Sequence, residues 1–162
     1  MRLRCASLPE YADAWETHPH HSCDRPLVKN PFEARPTYVG LSGIELTEAS
    51  SDFAAGRIEI TENHMQPYGV VHGGVHCTLA ETLASTGAAM WAMEQGLGGA
   101  VGVSNKTDFL RPTTSGVLIG EAKPIHRGRT QQLWQVNITR EDNGKLVAQS
   151  QVRLQNVAST EF

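Results

Sequence analysis

One segment constrains this chain more than any other. Residues 75–96, VHCTLAETLASTGAAMWAMEQG, run 22 positions without proline, are rich in Ala, Leu and Met, and end in glycine. That composition predicts a helix of about five or six turns stopped by Gly96, with Gly87 its weak point. Around it the pattern is that of strands. Residues 40–49 and 53–61 precede it and should pair as a hairpin; residues 100–110, 116–126, 131–140 and 146–155 follow, divided by RPTTSG, RGR and EDNG. The last run alternates cleanly, with Leu146, Ala148, Ser150, Val152 and Leu154 against Val147, Gln149, Gln151, Arg153 and Gln155. Asn143-Gly144 is a strong hairpin signal before it. One long helix among many strands must cover a face of their sheet, so the fold class is α+β: a curled, mostly antiparallel sheet around one central helix. A length of 162 residues suits a single core of this kind.

The first 36 residues read differently. They hold five of the eight prolines and three of the seven histidines, and no hydrophobic period follows a short helix expected over residues 9–17. The chain is therefore divided into a Pro/His-rich arm, 1–36, and a domain, 37–158. His18, His20, His21 and Cys23 are spaced for zinc in principle, but the segment is broken by proline and lacks a second ligand pair, so no metal site is expected. The net charge of −3 argues against nucleic acid as a partner. Three cysteines without a CxxC pair suit a reduced, cytoplasmic setting, and neither a signal peptide nor a membrane span is expected.

A helix lying in the concave face of a curled sheet must be thin on its buried side. Ala80, Ala84, Ser85, Gly87, Ala88 and Ala89 provide that thinness, and Leu79, Leu83, Met90 and Trp91 are expected to fill the sheet. Glu81 stands out among them, because nearly all its helix neighbours are apolar or small and a buried, unpaired carboxylate is costly. A lone glutamate more often marks an exposed stripe; here Thr78, Thr82, Ser85 and His76 are its only polar neighbours on the helix. Ser85 lies one turn on, where a hydroxyl can orient the carboxylate or hold a water. At the helix start, Gly73-Gly74 after His72 allows close approach of a ligand, and unpaired N–H groups there can polarise a carbonyl. The same pair could equally form a tight corner, with His72 as a cap. Spacing has a consequence for assembly: nine residues at about 1.5 Å each put His72 and Glu81 ~13 Å apart. Both can serve one reacting carbonyl only if two subunits share a site, which a two-fold dimer does twice. His76 and His126 are read as structural or surface residues, Cys77 as a small apolar group. Tyr68, Met90, Trp91 and Phe109 are core by default, with an aromatic acyl pocket as the alternative.

Gln66-Pro-Tyr-Gly-Val-Val-His72-Gly73-Gly74 followed by Leu79-Ala80-Glu81 resembles the signature of hotdog-fold acyl-CoA thioesterases. Residues 105–112, NKTDFLRP, and 125–129, IHRGR, are similar to the same group, and the resemblance covers residues 38–157. The branch it points to holds 4-hydroxybenzoyl-CoA thioesterase, the 1,4-dihydroxy-2-naphthoyl-CoA thioesterase of menaquinone synthesis and the enterobactin proofreading thioesterase. Phenylacetate-type relatives carry Asp where this chain has Glu81 and Asn where it has Gln66. The resemblance implies a hotdog fold and hydrolysis of an (aryl-)acyl-CoA to free acid and CoA. Glu81 would be nucleophile or general base, the Gly73 amide would polarise the thioester carbonyl, Gln66 and His72 would orient it, and Ser85 would position water. It implies no cofactor, a homodimer as the minimal active unit and a homotetramer built as a dimer of dimers. Arg111, Arg127 and Arg129 are candidates for the CoA phosphates, with Gly128 and Thr130 in the same turn. The alternative is an acyl-CoA-binding hotdog module without turnover; against it stands Glu81, which a sensor does not need.

Overall fold

The computed structural model describes residues 37–158. The short helix and the metal-ligand pattern expected within 1–36 lie outside the described residues. The element order is α1 (Tyr38–Leu41), β1 (Ile44–Ala49), β2 (Ala54–Glu59), a 3-10 turn (Glu62–His64), α2 (Gly73–Glu94), β3 (Gly99–Phe109), β4 (Val117–Arg127), β5 (Gln131–Arg140) and β6 (Leu146–Val157). All six strands join one antiparallel sheet in the order β1-β2-β4-β5-β6-β3, open at both ends. The sheet curls round α2, which touches every strand. This is the hotdog arrangement that the resemblance implied.

The expected helix forms over Gly73–Glu94, and Gly96 ends it with φ of 76°, a left-handed conformation that glycine adopts without strain. The expected β1–β2 hairpin forms, although the start of that first run is α1, capped by Thr37, whose side chain accepts from the Gly40 amide. At the EDNG turn only Gly144 takes positive φ, 65°, while Asn143 Oδ1 accepts from the Lys145 amide. The alternation of β6 survives from Ala148 on, where Ala148, Ser150, Val152 and Leu154 are buried and Gln151 and Arg153 exposed; at its start it fails, since Val147 is buried and Leu146 half-buried.

The core lies between α2 and the concave sheet face. Leu79, Leu83, Leu118, Trp134, Val136, Ile138, Val152 and Leu154 are nearly or wholly inaccessible, each worth roughly 1.5–3 kcal/mol when transferred from water. Ala80, Ala84 and Ala88 are fully buried as expected, whereas Met90 and Trp91 sit half-buried at the margin rather than filling the sheet. Gly87 is explained by its partner: a Cβ there would lie 2.4 Å from Cη2 of Trp134, so the indole occupies the missing side chain's place. On the other strand neighbourhood Leu83 fits over Gly120, where a Cβ would meet its Cδ1 at 2.5 Å. Among the described residues no helix is long and apolar enough to cross a membrane.

Candidate active site

The segment entering α2 is held before the helix begins. Met65 and Val71 form an isolated bridge, the Gln66 amide donates to Val70 O, the His72 amide to His64 O and the Val71 amide to Thr113 O. Gly69, with φ of 75°, closes the tip. Gln66 is half-buried in this hairpin-like loop, and Tyr68 is almost fully exposed at its end. His64 anchors the base: its Nδ1 accepts from the Thr61 amide at 2.9 Å and its Nε2 lies 3.2 Å from Ser42 O.

His72 is the N-cap of α2. Its Nδ1 accepts from the Gly74 amide at 2.9 Å, so in the neutral ring the proton sits on Nε2, which becomes a donor. Both glycines after it leave room for close neighbours. A Cβ on Gly74 would lie 2.9 Å from His72 Nδ1, and one on Gly73 would lie 2.8 Å from Cζ of Phe109. The pair is thus more than a sharp corner. It lets a cap on one side and an aromatic ring on the other close in on the first helical turn, where Gly73 N–H has no acceptor within the helix.

Glu81 lies in the third turn, half-buried. Ser85 Oγ donates to its Oε1 at 2.8 Å, the i,i+4 pairing anticipated from the spacing. Opposite stands Gly102 of β3, where a Cβ would fall 2.7 Å from Oε1. The β3–β6 register shifts between Gly102 and Ser104, a bulge beside the carboxylate. Strand β3 then tracks back along the helix. Asn105 Nδ2 donates to Cys77 O at 3.0 Å, and Thr107 Oγ1 bonds Asn105 Oδ1 and Ser150 Oγ. Further on, Phe109 covers Gly73 and meets His76 with ring centroids 5.9 Å apart. His76 is buried with no partner for Nδ1 among the described residues, and burial pushes its pKa below 6.5.

Within one chain the candidates therefore form two groups. Glu81 and Ser85 share a face against Gly102, while Gln66, His72 and Gly73 gather at the helix start, eight or more positions earlier. The arginines divide as well. Arg127 is engaged internally: it pairs with Asp52 at 2.7 Å, donates to Ser51 O at 2.9 Å, and its guanidinium carbon lies 5.7 Å from the Trp91 ring centroid. Arg111 donates to Leu146 O at 2.6 Å but is exposed. Arg129 and Thr130 are exposed at the turn, and the Gly128 amide closes it by donating to Gln131 O.

Sequence reasoning missed Gly102, Asp52 and the anchoring of Asn105. The last falls in the NKTDFLRP segment already singled out. Gly102 and Asp52 carry no local signal, since their partners Glu81 and Arg127 are distant along the chain.

Comparison with known proteins agrees with this fold. The family model for the thioesterase superfamily matches residues 68–147. A Mycobacterium tuberculosis protein provisionally named an esterase is 47% identical over 116 residues, 71% of this chain and 82% of that one. Its solved structure superposes with a TM-score of 0.72 over 75% of this chain and 96% of its own. The structure of a thioesterase from Haemophilus influenzae gives 0.71 at 34% identity, covering 78% and 86% of the two chains. The 1,4-dihydroxy-2-naphthoyl-CoA hydrolase of Listeria monocytogenes is 34% identical over 99 residues, 61% of this chain and 79% of that one. With a six-stranded antiparallel sheet curled round one long helix and relatives of this kind, this chain belongs to the thioesterase superfamily and is a thioester hydrolase.

Proposed function

We propose that the protein hydrolyses an acyl-CoA thioester, with an aromatic acyl group as the preferred class, and that Glu81 is its catalytic carboxylate. The observation that carries the reading is the setting of Glu81: half-buried, one oxygen held by Ser85, and given room by Gly102. The second oxygen is then available either to take a proton from water or to attack the thioester carbon directly. In the first route water attacks as Glu81 accepts its proton, the C–S bond breaks, and CoA leaves as thiolate. In the second the Glu81 carboxylate attacks the thioester carbon, the C–S bond breaks as CoA leaves as thiolate, and water cleaves the resulting anhydride to free acid and Glu81. Both routes release free acid and CoA without a cofactor. The Gly73 amide, backed by the positive end of α2, stabilises the oxyanion, and His72 Nε2–H and Gln66 orient the carbonyl. Arg129 and Thr130, with Arg111, face the CoA phosphates, and Arg127 and Gly128 shape the same turn. The relatives named as 1,4-dihydroxy-2-naphthoyl-CoA hydrolases or thioesterases support this substrate class.

The two halves of the site belong to different subunits of a homodimer, and pairs of dimers form a tetramer. Strand β3 supports a partner: it is a sheet edge of 11 residues, exposed along nearly all its length, and Val101, Val103, Phe109 and Leu110 are among the exposed apolar side chains. A long bare edge of this kind invites pairing, and a second copy aligned there brings its own helix start toward Glu81. Thiol release from benzoyl-CoA, hydroxybenzoyl-CoA, naphthoyl-CoA and fatty acyl-CoA tests the activity. Wild type should favour the aryl thioesters and Glu81→Gln should lose at least about 100-fold in kcat. No release from any of the panel would leave a binding module in place of an enzyme.

A further inference from the structure

A buried polar relay joins the 128–130 turn to α2. Gln132 is 1% exposed and uses its whole amide: Nε2 donates to Ala88 O at 3.0 Å and to Asn156 Oδ1 at 2.8 Å, while Oε1 accepts from Trp134 Nε1 at 2.9 Å. Asn156, 9% exposed, passes the connection on. Its Nδ2 donates to Gly128 O at 2.9 Å and Arg129 O at 3.2 Å, and its backbone amide donates to Thr130 O at 2.9 Å. Three successive carbonyls thus converge on one residue. Among the described residues all peptides are trans, and in a planar trans peptide the N–H points opposite to the carbonyl it shares a plane with. The amides of Arg129 and Thr130 therefore face away from Asn156, beside two side chains that are exposed. A turn that showed its carbonyls outward would repel an anion; this one hides them and presents donors, as anion-binding backbone turns do.

We infer that Asn156, braced by Gln132, is a positioning residue that makes the 128–130 turn a phosphate-binding turn for the nucleotide end of the thioester. The inference rests on the acyl-CoA reading above. It requires that loss of the Asn156 amide weaken recognition of phosphates while sparing chemistry at the distant thioester. The test compares benzoyl-CoA with the benzoyl thioester of N-acetylcysteamine, which carries the same reacting group and no phosphate. In Asn156→Asp, which keeps size but sets an oxygen against two carbonyls, KM for benzoyl-CoA should rise at least tenfold with kcat within twofold. The ratio of variant to wild-type kcat/KM on the short thioester should stay within twofold. Asn156→Ser removes the amide without adding charge and should shift KM in the same direction, which separates lost positioning from plain repulsion and serves if the Asp variant does not fold. Equal losses on both substrates would reduce Asn156 to a structural residue and overturn the inference, as would no change on either. If wild type cleaves neither thioester, the acyl-CoA reading falls on its own. Calorimetric titration with adenosine 3′,5′-bisphosphate then decides: binding weakened tenfold in the variants sustains the turn's role, and equal or absent binding ends it.

Discussion

At the scale of single residues, two groups in the site have consequences that can be measured. Gly102 leaves the space into which Glu81 Oε1 fits. In Gly102→Ala the new methyl would meet the far end of a flexible side chain, so the carboxylate swings aside at little cost in stability. Misplacing a reacting group by about an ångström costs up to about 100-fold in rate; kcat should fall roughly 10- to 100-fold while Tm moves by no more than a degree or two. His76 bears on pH. Burial depresses its folded-state pKa below the ordinary 6.5, so as pH falls through about 6.5 the unfolded chain takes up a proton that the folded chain does not. Stability present above that pH is lost on acidification until the depressed folded value is passed. His76→Gln should flatten this part of the curve, seen as a smaller drop in Tm between pH 7.5 and pH 5 than in wild type. An equal drop would place the acid sensitivity elsewhere.

At the scale of elements, α2 is shaped by what it must lie against. Its small residues were legible from the sequence because Ala80, Ala84 and Ala88 recur on one face. Gly87 read only as a weakness, since glycine lowers helix propensity by about 1 kcal/mol relative to alanine. The fold reverses that reading. Gly87→Ala improves the isolated helix but drives a methyl to 2.4 Å from the buried Trp134 ring. Trp134 is also tied through Nε1 to Gln132 and cannot retreat freely. The clash wins: the substitution should destabilise by about 1–3 kcal/mol in denaturant unfolding, and a stabilised variant would show that the indole has room to move. The strand β3 teaches the complementary lesson. Its sequence predicted a strand, but nothing in it predicted that the strand would be a sheet edge running along the Glu81 face of α2.

For the whole molecule the governing question is where the two halves of the site meet. Glu81→Ala alone and His72→Ala alone should each abolish turnover in homodimers. On the proposed dimer, mixed dimers of the two should regain activity, because one of the two sites proposed to be shared then contains no substitution; about half of the wild-type rate per mixed dimer is the expected ceiling. Mixed dimers that form and stay inactive would mean that one chain supplies both halves. The open edge at β3, with exposed Val101, Val103 and Phe109, sets where the association is expected. Val103→Lys should therefore shift the population toward monomer in sedimentation and lower activity in parallel.

The sequence by itself determined the architecture: one proline-free helix among six strand runs has few ways to bury its apolar surface other than inside a curled sheet. It also determined the contact between Glu81 and Ser85, because helical spacing makes i,i+4 neighbours. What only the tertiary structure decided are the pairings between positions distant in sequence. Gly102 faces Glu81, Phe109 fills the space beside Gly73, Asp52 and Ser51 claim Arg127, and Asn156 draws in the carbonyls of the 128–130 turn. No local period encodes such contacts. They follow from strand order, register and the sheet's curl, which place edges and turns against a helix that the linear pattern shows only as a helix.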